Sequence, residues 1–222
     1  MKVPLSSRLL ACCDFVAPGD RVADIGCDHG YLGIHLLHKG IASAVIASDI
    51  NEGPLQSAVR NSEKFGVRDK ISFYLSDGVR NIPREFDTMV CAGMGGDTMV
   101  SILSAAPWLQ SKQYRLILQC QSKTPLLRKY LSDTGWWIKQ EKVLKDGKFL
   151  YTIMEILWQP EQPRLTPAQC YISPVLAESE DAVAYRKWVI EGLRIATAHS
   201  DDGEKKRILQ ELEIATSLRS SQ

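Results

Sequence analysis

The chain has 222 residues, of which 45% are hydrophobic and 24% are charged, and its formal net charge is +1. These values are typical of a globular protein, and the net charge gives the whole chain no nucleic-acid-binding signature. No apolar run reaches the ~18 residues that span a bilayer. The N-terminus also lacks the apolar stretch of a signal peptide, so we expect a cytoplasmic protein without a membrane partner.

Apolar runs and helical patterns alternate along residues 1–158, and Asp146-Gly147 separates the last two runs with a strong hairpin signal. The predicted strands are 21–25, 44–48, 71–75, 88–91, 114–119, 136–143 and 149–158. The predicted helices are 6–16, 30–39, 54–66, 97–105 and 124–135. Such alternation favours a parallel α/β sheet, to which the hairpin adds an antiparallel strand. Seven strands in this arrangement are typical of Rossmann-like class I methyltransferases that depend on S-adenosylmethionine (SAM), which is an analogy of fold.

The composition changes after Trp158. Prolines at positions 160, 163, 167 and 174 indicate a linker, and two amphipathic helical patterns joined by the short connector 199–203 follow it. A short connector favours antiparallel neighbours. We therefore predict a methyltransferase domain at 1–158, and a linker with a coiled-coil-like helical hairpin at 159–222.

The six cysteines form neither a C-x-x-C pair nor a spacing suited to metal ligands. Cys12 and Cys13 are adjacent within an apolar helical pattern, which favours a place in the core. The sequence therefore predicts no metal site, and its cysteines are consistent with an intracellular location.

Acidic residues mark the ends of the first three predicted strands. The first strand runs into Asp24-Ile-Gly26-Cys27-Asp28-His29-Gly30, where the glycines allow a close approach of the backbone to a ligand. Asp49 follows 23 residues after Gly26, a spacing that suits a carboxylate bound to the ribose hydroxyls of an adenosine cofactor. Asp77 ends the third strand, where an adenine amino group could be recognised.

A nicotinamide cofactor is the alternative for a glycine-rich loop after the first strand. Its fingerprint, G-x-G-x-x-G, covers a pyrophosphate. The loop here carries Asp24 and Asp28, which repel a pyrophosphate but suit the ammonium and sulfonium groups of SAM. SAM is therefore the predicted cofactor, with helix capping or turn formation as the structural alternative for Asp49 and Asp77.

The sequence resembles the tRNA adenine N1-methyltransferases that modify position 22. The matching stretches are Asp24–Leu32, Ser48–Ile50, Ser76–Gly78, Ala92-Gly-Met-Gly-Gly96 and Leu116–Gln119. The resemblance covers residues 1–158 and matches the helical tail in kind. It implies SAM-dependent methylation of adenine N1 in tRNA. The cofactor contacts that we predict are Asp24, Gly26, Cys27, Asp49, Ile50, Asp77, Gly78, Ala92, Gly93 and Met94.

The loop after the fourth strand bears on which adenine nitrogen is methylated. Enzymes that methylate the poorly nucleophilic N6 commonly carry an Asn/Asp-Pro-Pro-aromatic loop there, whereas this chain has Ala92-Gly-Met-Gly-Gly96. N1 has an in-plane lone pair and becomes positively charged, so a nearby carboxylate would stabilise the product. We predict Asp28 for this carboxylate or for a hydrogen bond to the base, with a SAM contact or loop cap as alternatives. His29 would orient Asp28 or close over the cofactor, and Asp97 is expected to cap a helix.

Residues 112–148 carry nine lysines and arginines against three acids, with four interleaved aromatic residues. Basic charge attracts RNA phosphates, and exposed aromatic rings can stack on unpaired bases. We expect tRNA to bind near Arg128, Lys129 and Lys139, with the C-terminal hairpin as a second contact. The hairpin could instead mediate dimerisation through Trp188, so a monomer or weak dimer is expected.

Three other functions remain as alternatives at this point. A SAM-dependent methyltransferase could act on a small molecule, and would then show no salt-dependent affinity for RNA, or it could act on another RNA. A binding module that keeps the fold without activity is disfavoured by the full set of acidic strand ends. An NAD-linked oxidoreductase is disfavoured by the acidic glycine loop.

Overall fold

The computed structural model describes residues 2–199 and 201–219, so that Ser200 in the predicted connector and residues 220–222 lie outside the described part. The strands are β1 Arg21–Ile25, β2 Ala44–Asp49, β3 Ile71–Leu75, β4 Thr88–Gly95, β5 Arg115–Ser122, β6 Trp136–Asp146 and β7 Phe149–Trp158. The helices are α1 Ser7–Cys13, α2 Tyr31–His38, α3 Glu52–Lys64, α4 Gly96–Ser104, α5 Thr124–Asp133, α6 Pro167–Tyr171, α7 Glu180–Ala198 and α8 Gly203–Arg219.

The strands form one sheet in the order β3-β2-β1-β4-β5-β7-β6. The first five strands run parallel, and β7 runs antiparallel to both β5 and β6. The carboxyl ends of β1 to β5 therefore meet at one edge of the sheet. This confirms the predicted Rossmann-like α/β fold with an antiparallel strand contributed by the hairpin.

Both faces of the sheet are covered, which explains why its central strands are apolar along their whole length. Val22 belongs to a core cluster on one face, and the next residue, Ala23, belongs to the cluster on the other. Cys12 and Cys13 are buried in the first cluster, as predicted. All six cysteines are free and buried.

The C-terminal helices α7 and α8 form the predicted hairpin, which packs on a third cluster that includes Val143 of β6. Helical spacing from the other apolar residues predicts that Ala196 and Ala215 lie on the buried faces of the two helices, but both are exposed, and Thr197 is buried instead. The predicted linker contains a helix, α6, because Thr166 and Gln169 form a capping box and Pro167 occupies its first turn.

The structure corrects the prediction that Arg128 is exposed. Its side chain is completely buried, bonded to Glu141 of β6, to the carbonyls of Cys170 and Tyr171, and to the Tyr185 hydroxyl. Arg128 lies on the face of α5 that also buries Leu127 and Leu131, where a partner acid inside the protein offsets its desolvation. Arg128 is therefore a structural residue that joins the sheet to the C-terminal helices.

No helix in residues 2–199 or 201–219 is both long and apolar enough to cross a membrane.

Candidate functional site

A cavity of about 440 Å³ lies at the edge where the parallel strands end. Every residue predicted for the cofactor or the chemistry lines it: Asp24, Gly26, Cys27, Asp28, His29, Asp49, Ile50, Asp77, Gly78, Ala92, Gly93 and Met94. The cavity also contains residues that sequence reasoning missed, among them Arg8, Asn51, Thr98 and Ile102. Their roles as ligand contacts remain predictions.

Asp24, near the end of β1, is the most buried acid of the cavity, with 5% of its surface exposed. Burial raises the pKa of Asp24 to about 7, a hydrogen bond from the Gly33 backbone opposes this rise, and the charges of Asp49 and Asp28 add to it. Its Oδ2 has no hydrogen-bond partner among the described residues. A buried, unsatisfied carboxylate oxygen in a cavity wall is a site for a cationic or N–H donor group.

The loop after β1 is held close to its neighbours by glycine. The Gly26 amide donates to the Ser48 carbonyl of β2 at 2.8 Å, and Gly26 has a φ of +71°. A Cβ at Gly26 would collide with Cε of Met94. Gly26 therefore leaves room for the end of the Met94 side chain, which comes from the last part of β4.

Asp49 connects the ends of β1 and β2. Its Oδ2 accepts the Asp28 amide at 3.1 Å, and its Oδ1 accepts the Asn51 amide at 2.9 Å. The N-cap of α3 is Asn51, so Asp49 is not the helix cap. The carboxylate is thus fixed in the cavity wall, and each oxygen keeps a second acceptor position for a ligand.

Asp28 and His29 lie at the open side of the cavity. Asp28 has a left-handed φ of 50°, which aspartate tolerates better than most side chains, and its side chain is 70% exposed. His29 Nε2 is 3.7 Å from Asp28 Oδ1, and the His29 ring stacks on Tyr31 with 5.9 Å between centroids. The pair places a carboxylate and an imidazole where a second reactant could reach them.

Asp77 and Gly78 follow β3. The Asp77 carboxylate lies 3.2 Å from Nη1 of Arg80. Gly78 has a φ of +60° and packs against Ile102. A Cβ at Gly78 would lie 3.0 Å from the Ile102 side chain. The buried Ser76 hydroxyl donates to the Gly78 carbonyl at 3.0 Å. This turn forms the end of the cavity beyond β2 and β3.

The segment Ala92–Gly96, which ends β4 and begins α4, is shaped by β5. Two register shifts interrupt the pairing of β4 with β5 between Ala92 and Gly95. The buried Gln119 fixes the loop, because its Oε1 accepts both the Gly93 amide, at 3.0 Å, and Nη1 of Arg8 on α1, at 2.8 Å. A Cβ at Gly96 would lie 2.6 Å from the Lys123 carbonyl.

Asp97 is not the expected helix cap. The N-cap of α4 is Gly95, and Asp97 lies in the first turn, 2.6 Å from Lys123 Nζ. The strand β4 continues to Gly95, and the helix α4 follows at once from Gly96, one residue earlier than predicted.

Several lysines and arginines of the predicted basic segment are paired with acids. Lys129 is exposed and bonded to Asp133, while Lys139 is bonded to Glu155, which also binds Arg115 at the start of β5. The start of β5 lies at the opposite edge of the sheet from the cavity. Of the four aromatic residues in the segment, Tyr114 and Trp136 are buried in the core, and Tyr130 and Trp137 are half-buried.

Within the described ranges, no cluster of three or more histidine, cysteine, aspartate or glutamate side chains has a geometry that could hold a metal ion.

Comparison with known families gives a match to a methyltransferase domain over residues 5–154. The tRNA (adenine(22)-N(1))-methyltransferase of Bacillus subtilis is 31% identical over 195 residues, which is 86% of this chain and 82% of that protein. A tRNA methyltransferase of Mycoplasma genitalium, whose name marks its function as unproven, is 33% identical over 72% of each chain.

Solved structures show the same similarity over nearly the whole chain. The crystal structure of the B. subtilis m1A22 tRNA methyltransferase has a TM-score of 0.80 and 27% identity, with 99% of each chain covered. A Streptococcus pneumoniae protein crystallised in complex with S-adenosyl-L-methionine has a TM-score of 0.84 and 30% identity, and covers 94% of this chain and 99% of that one.

Proposed function

The chain belongs to the family of tRNA (adenine(22)-N(1))-methyltransferases, and on this basis we propose that it transfers a methyl group from SAM to N1 of adenine 22 in tRNA. The observation that carries the proposal is the group of aspartates at the strand ends that line the cavity, among them the buried Asp24, whose Oδ2 lacks a partner among the described residues. Binding of SAM, an adenosine-containing cation, accounts for the acidic residues that line the cavity.

The residues of the cavity fit SAM. Asp24 would accept the ammonium of the methionine moiety, and the Asp49 carboxylate would accept the ribose hydroxyls. Asp77 and Gly78, at the far end, would contact the adenine. A pyrophosphate would instead meet the carboxylates of Asp24 and Asp28, and this argues against a nicotinamide cofactor.

Bound SAM would supply an electrophilic methyl group on a sulfonium. The chain has to hold the adenine N1 in line with that methyl group and to exclude competing orientations. Asp28 is our candidate for stabilising the positive charge that develops on the base, since its carboxylate is exposed at the open side of the cavity. His29, 3.7 Å from Asp28, would orient that carboxylate.

For the tRNA contact we propose the exposed Lys129 and Lys139 together with the C-terminal hairpin, whose Trp188 is 65% exposed. Arg128 has no part in this contact because it is buried. We propose a boundary between the methyltransferase domain and the tail at residues 158 and 159, and a monomer or weak dimer. A tRNA substrate and SAM also support the expected cytoplasmic location.

The experiment is incubation of the purified protein with methyl-labelled SAM and unmodified tRNA, followed by digestion and identification of the labelled nucleoside. We expect 1-methyladenosine from wild-type tRNA and no label in a tRNA with guanine at position 22. Label in another nucleoside, or no transfer despite SAM binding, would overturn the proposal and point to another RNA or a small molecule.

A further inference from the structure

The loop between β1 and α2 contains two left-handed residues, one on each side of His29. Asp28 has a φ of 50° and Gly30 has a φ of 71°. A left-handed aspartate costs backbone energy, and such a conformation persists only where the surroundings fix it. The Asp28 side chain is 70% exposed, so packing does not set its direction. The direction of the Asp28 carboxylate therefore depends on what holds the backbone of this loop.

Asn61 of α3 holds the loop at its outer end. Its Nδ2 donates to the His29 carbonyl at 3.0 Å. The hydrogen bonding of α2 starts with the Ile34 amide and the Gly30 carbonyl, so the His29 carbonyl lies one residue before the helix ladder. A carbonyl oxygen only accepts hydrogen bonds, and Asn61 supplies a donor that the helix does not.

The same face of α3 touches the loop a second time. Gly30 lies so close to Ala58 that a Cβ at Gly30 would be 2.9 Å from the Cβ of Ala58. Ala58 and Asn61 are three positions apart, so they lie on one face of the helix. At the inner end of the loop, Asp49 Oδ2 accepts the Asp28 amide at 3.1 Å. The loop is thus fixed from β2 at its inner end and from α3 at its outer end.

We propose that Asn61 is a positioning residue for methyl transfer, which holds the loop so that the Asp28 carboxylate faces the charge developing on the base. The inference rests on the proposed function, in which Asp28 stabilises that charge. Asn61 does not line the cavity, so it acts through the His29 carbonyl and not by touching the cofactor or the base. Such a tether matters for catalysis because a small displacement of a stabilising group costs a large factor in rate.

Two other roles for Asn61 make different predictions. A direct contact with tRNA would raise KM for tRNA and leave kcat nearly unchanged. A tether that only stabilises the fold would lower the melting temperature without a selective effect on kcat. A positioning role lowers kcat and leaves the affinity for S-adenosylhomocysteine nearly unchanged.

The experiment measures kcat and KM for methylation of unmodified tRNA at saturating SAM, together with the calorimetric affinity for S-adenosylhomocysteine and thermal unfolding. The variants are Asn61→Ala, Asn61→Asp, which has the same shape but no N–H donor, and Asn61→Gln, which keeps the donor. The matched control is Gln56→Ala. Gln56 is an exposed amide on α3 that bonds Glu52 and does not line the cavity.

We expect Asn61→Ala and Asn61→Asp to lower kcat by about tenfold or more, with KM for tRNA and the affinity for S-adenosylhomocysteine changed less than about threefold. Asn61→Gln should recover part of the loss, and Gln56→Ala should match the wild type. In the Asp28→Asn background, Asn61→Ala should lower kcat no further, since both substitutions remove the contribution of one carboxylate.

A wild-type kcat in Asn61→Ala would overturn the proposal. A rise in KM alone, an equal loss of kcat and of S-adenosylhomocysteine affinity, or additive losses in the double variant would also overturn it, because each assigns Asn61 to another role. A wild type that forms no 1-methyladenosine is a separate result, which overturns the proposed function. The amide resonances of Asp28 and Gly30 then still test the tether: they should shift in Asn61→Ala and not in Gln56→Ala, and unchanged resonances in both would overturn it.

Discussion

Arg128 on α5 and Glu141 on β6 form a salt bridge of 2.5 Å in which neither side chain is exposed to solvent. The guanidinium also binds two carbonyls at the end of α6 and the hydroxyl of Tyr185 on α7. Four elements from both parts of the chain therefore meet at one side chain. The network explains how a short tail of helices is held against the edge of the sheet.

Arg128→Met is expected to lower the free energy of unfolding by about 3–5 kcal/mol, because it leaves Glu141 buried and without its cation. Denaturant unfolding followed by circular dichroism measures the change. Lys129→Met is the matched control: the neighbouring lysine is exposed, and its replacement should change stability by about 0.5 kcal/mol or less. The double variant Arg128→Met/Glu141→Leu should recover much of the loss. Equal stability of the wild type and Arg128→Met would contradict the role given to the network.

Asp24 should make the stability of the ligand-free protein depend on pH. Its pKa is raised from 3.8 to about 7, chiefly by burial, so the folded state holds the proton more tightly than the unfolded state. The contribution of Asp24 to the free energy of unfolding should therefore be highest below pH 4, fall as the pH rises to about 7, and level off above that value. The limiting slope for one group is about 1.4 kcal/mol per pH unit.

Asp24→Asn is the variant that isolates this effect. It should remove the fall between pH 4 and 7 while weakening the binding of S-adenosylhomocysteine at pH 8 by about tenfold or more, since the ligand ammonium loses its carboxylate. Thermal unfolding over the pH range and calorimetry give the two readouts. A variant that keeps the wild-type slope would show that another group titrates there.

Gly26→Ala tests the close contact between Gly26 and Met94. The new methyl group would take the place of Met94 Cε, so the end of this flexible side chain would have to move aside, and Gly26 has a φ of +71°. Gly40 offers a matched control, since it has a φ of +64° and no atom lies within 4 Å of its Cβ position. Both variants should lose about 1 kcal/mol through backbone strain. Only Gly26→Ala should also weaken ligand binding, by about tenfold or more.

A second substitution provides a check on that explanation. Met94→Ala in the Gly26→Ala background would remove the side chain with which the new methyl group collides, so part of the binding should return. If the double variant binds as weakly as Gly26→Ala alone, steric overlap with Met94 is not the cause.

Asp28→Asn should separate chemistry from cofactor binding. Asparagine tolerates the left-handed backbone of Asp28 but carries no charge, so the positive charge developing on the base would lose its stabilisation. We expect kcat for tRNA methylation to fall by about 100-fold and the affinity for S-adenosylhomocysteine to change less than threefold. A parallel loss of both quantities would instead assign Asp28 to the cofactor.

The main strands and helices could be predicted from the sequence because each has a local signal. The apolar run of β1 ends at a glycine, and Asp146-Gly147 sets the hairpin between β6 and β7. The helix α6 was missed because prolines dominate its surroundings and its capping box, Thr166 with Gln169, is only one turn long. The predicted end of β4, at residue 91, came too early, because the strand continues through two register shifts to Gly95.

The acids of the site were predictable because each lies at or just after the carboxyl end of a strand, so the order along the chain already places them at one edge. Arg8 and Gln119 were not, because their contact joins residues 111 positions apart. Arg128 shows the opposite error: an arginine in a helix suggests exposure, and only the packing of Glu141 and the C-terminal helices against it explains its burial. Long-range pairing decides such cases, and no local pattern contains it.

Asp24, Asp49 and the Asp77 turn belong to adjacent strands of one parallel sheet, β1, β2 and β3. Neighbouring strands are about 4.8 Å apart whatever side chains they carry. The hydrogen bonding between the strands therefore sets the distance between the groups expected to contact the two ends of a nucleoside. The helices around it can change in sequence and length without altering that distance, and so ligand size and protein stability can evolve separately.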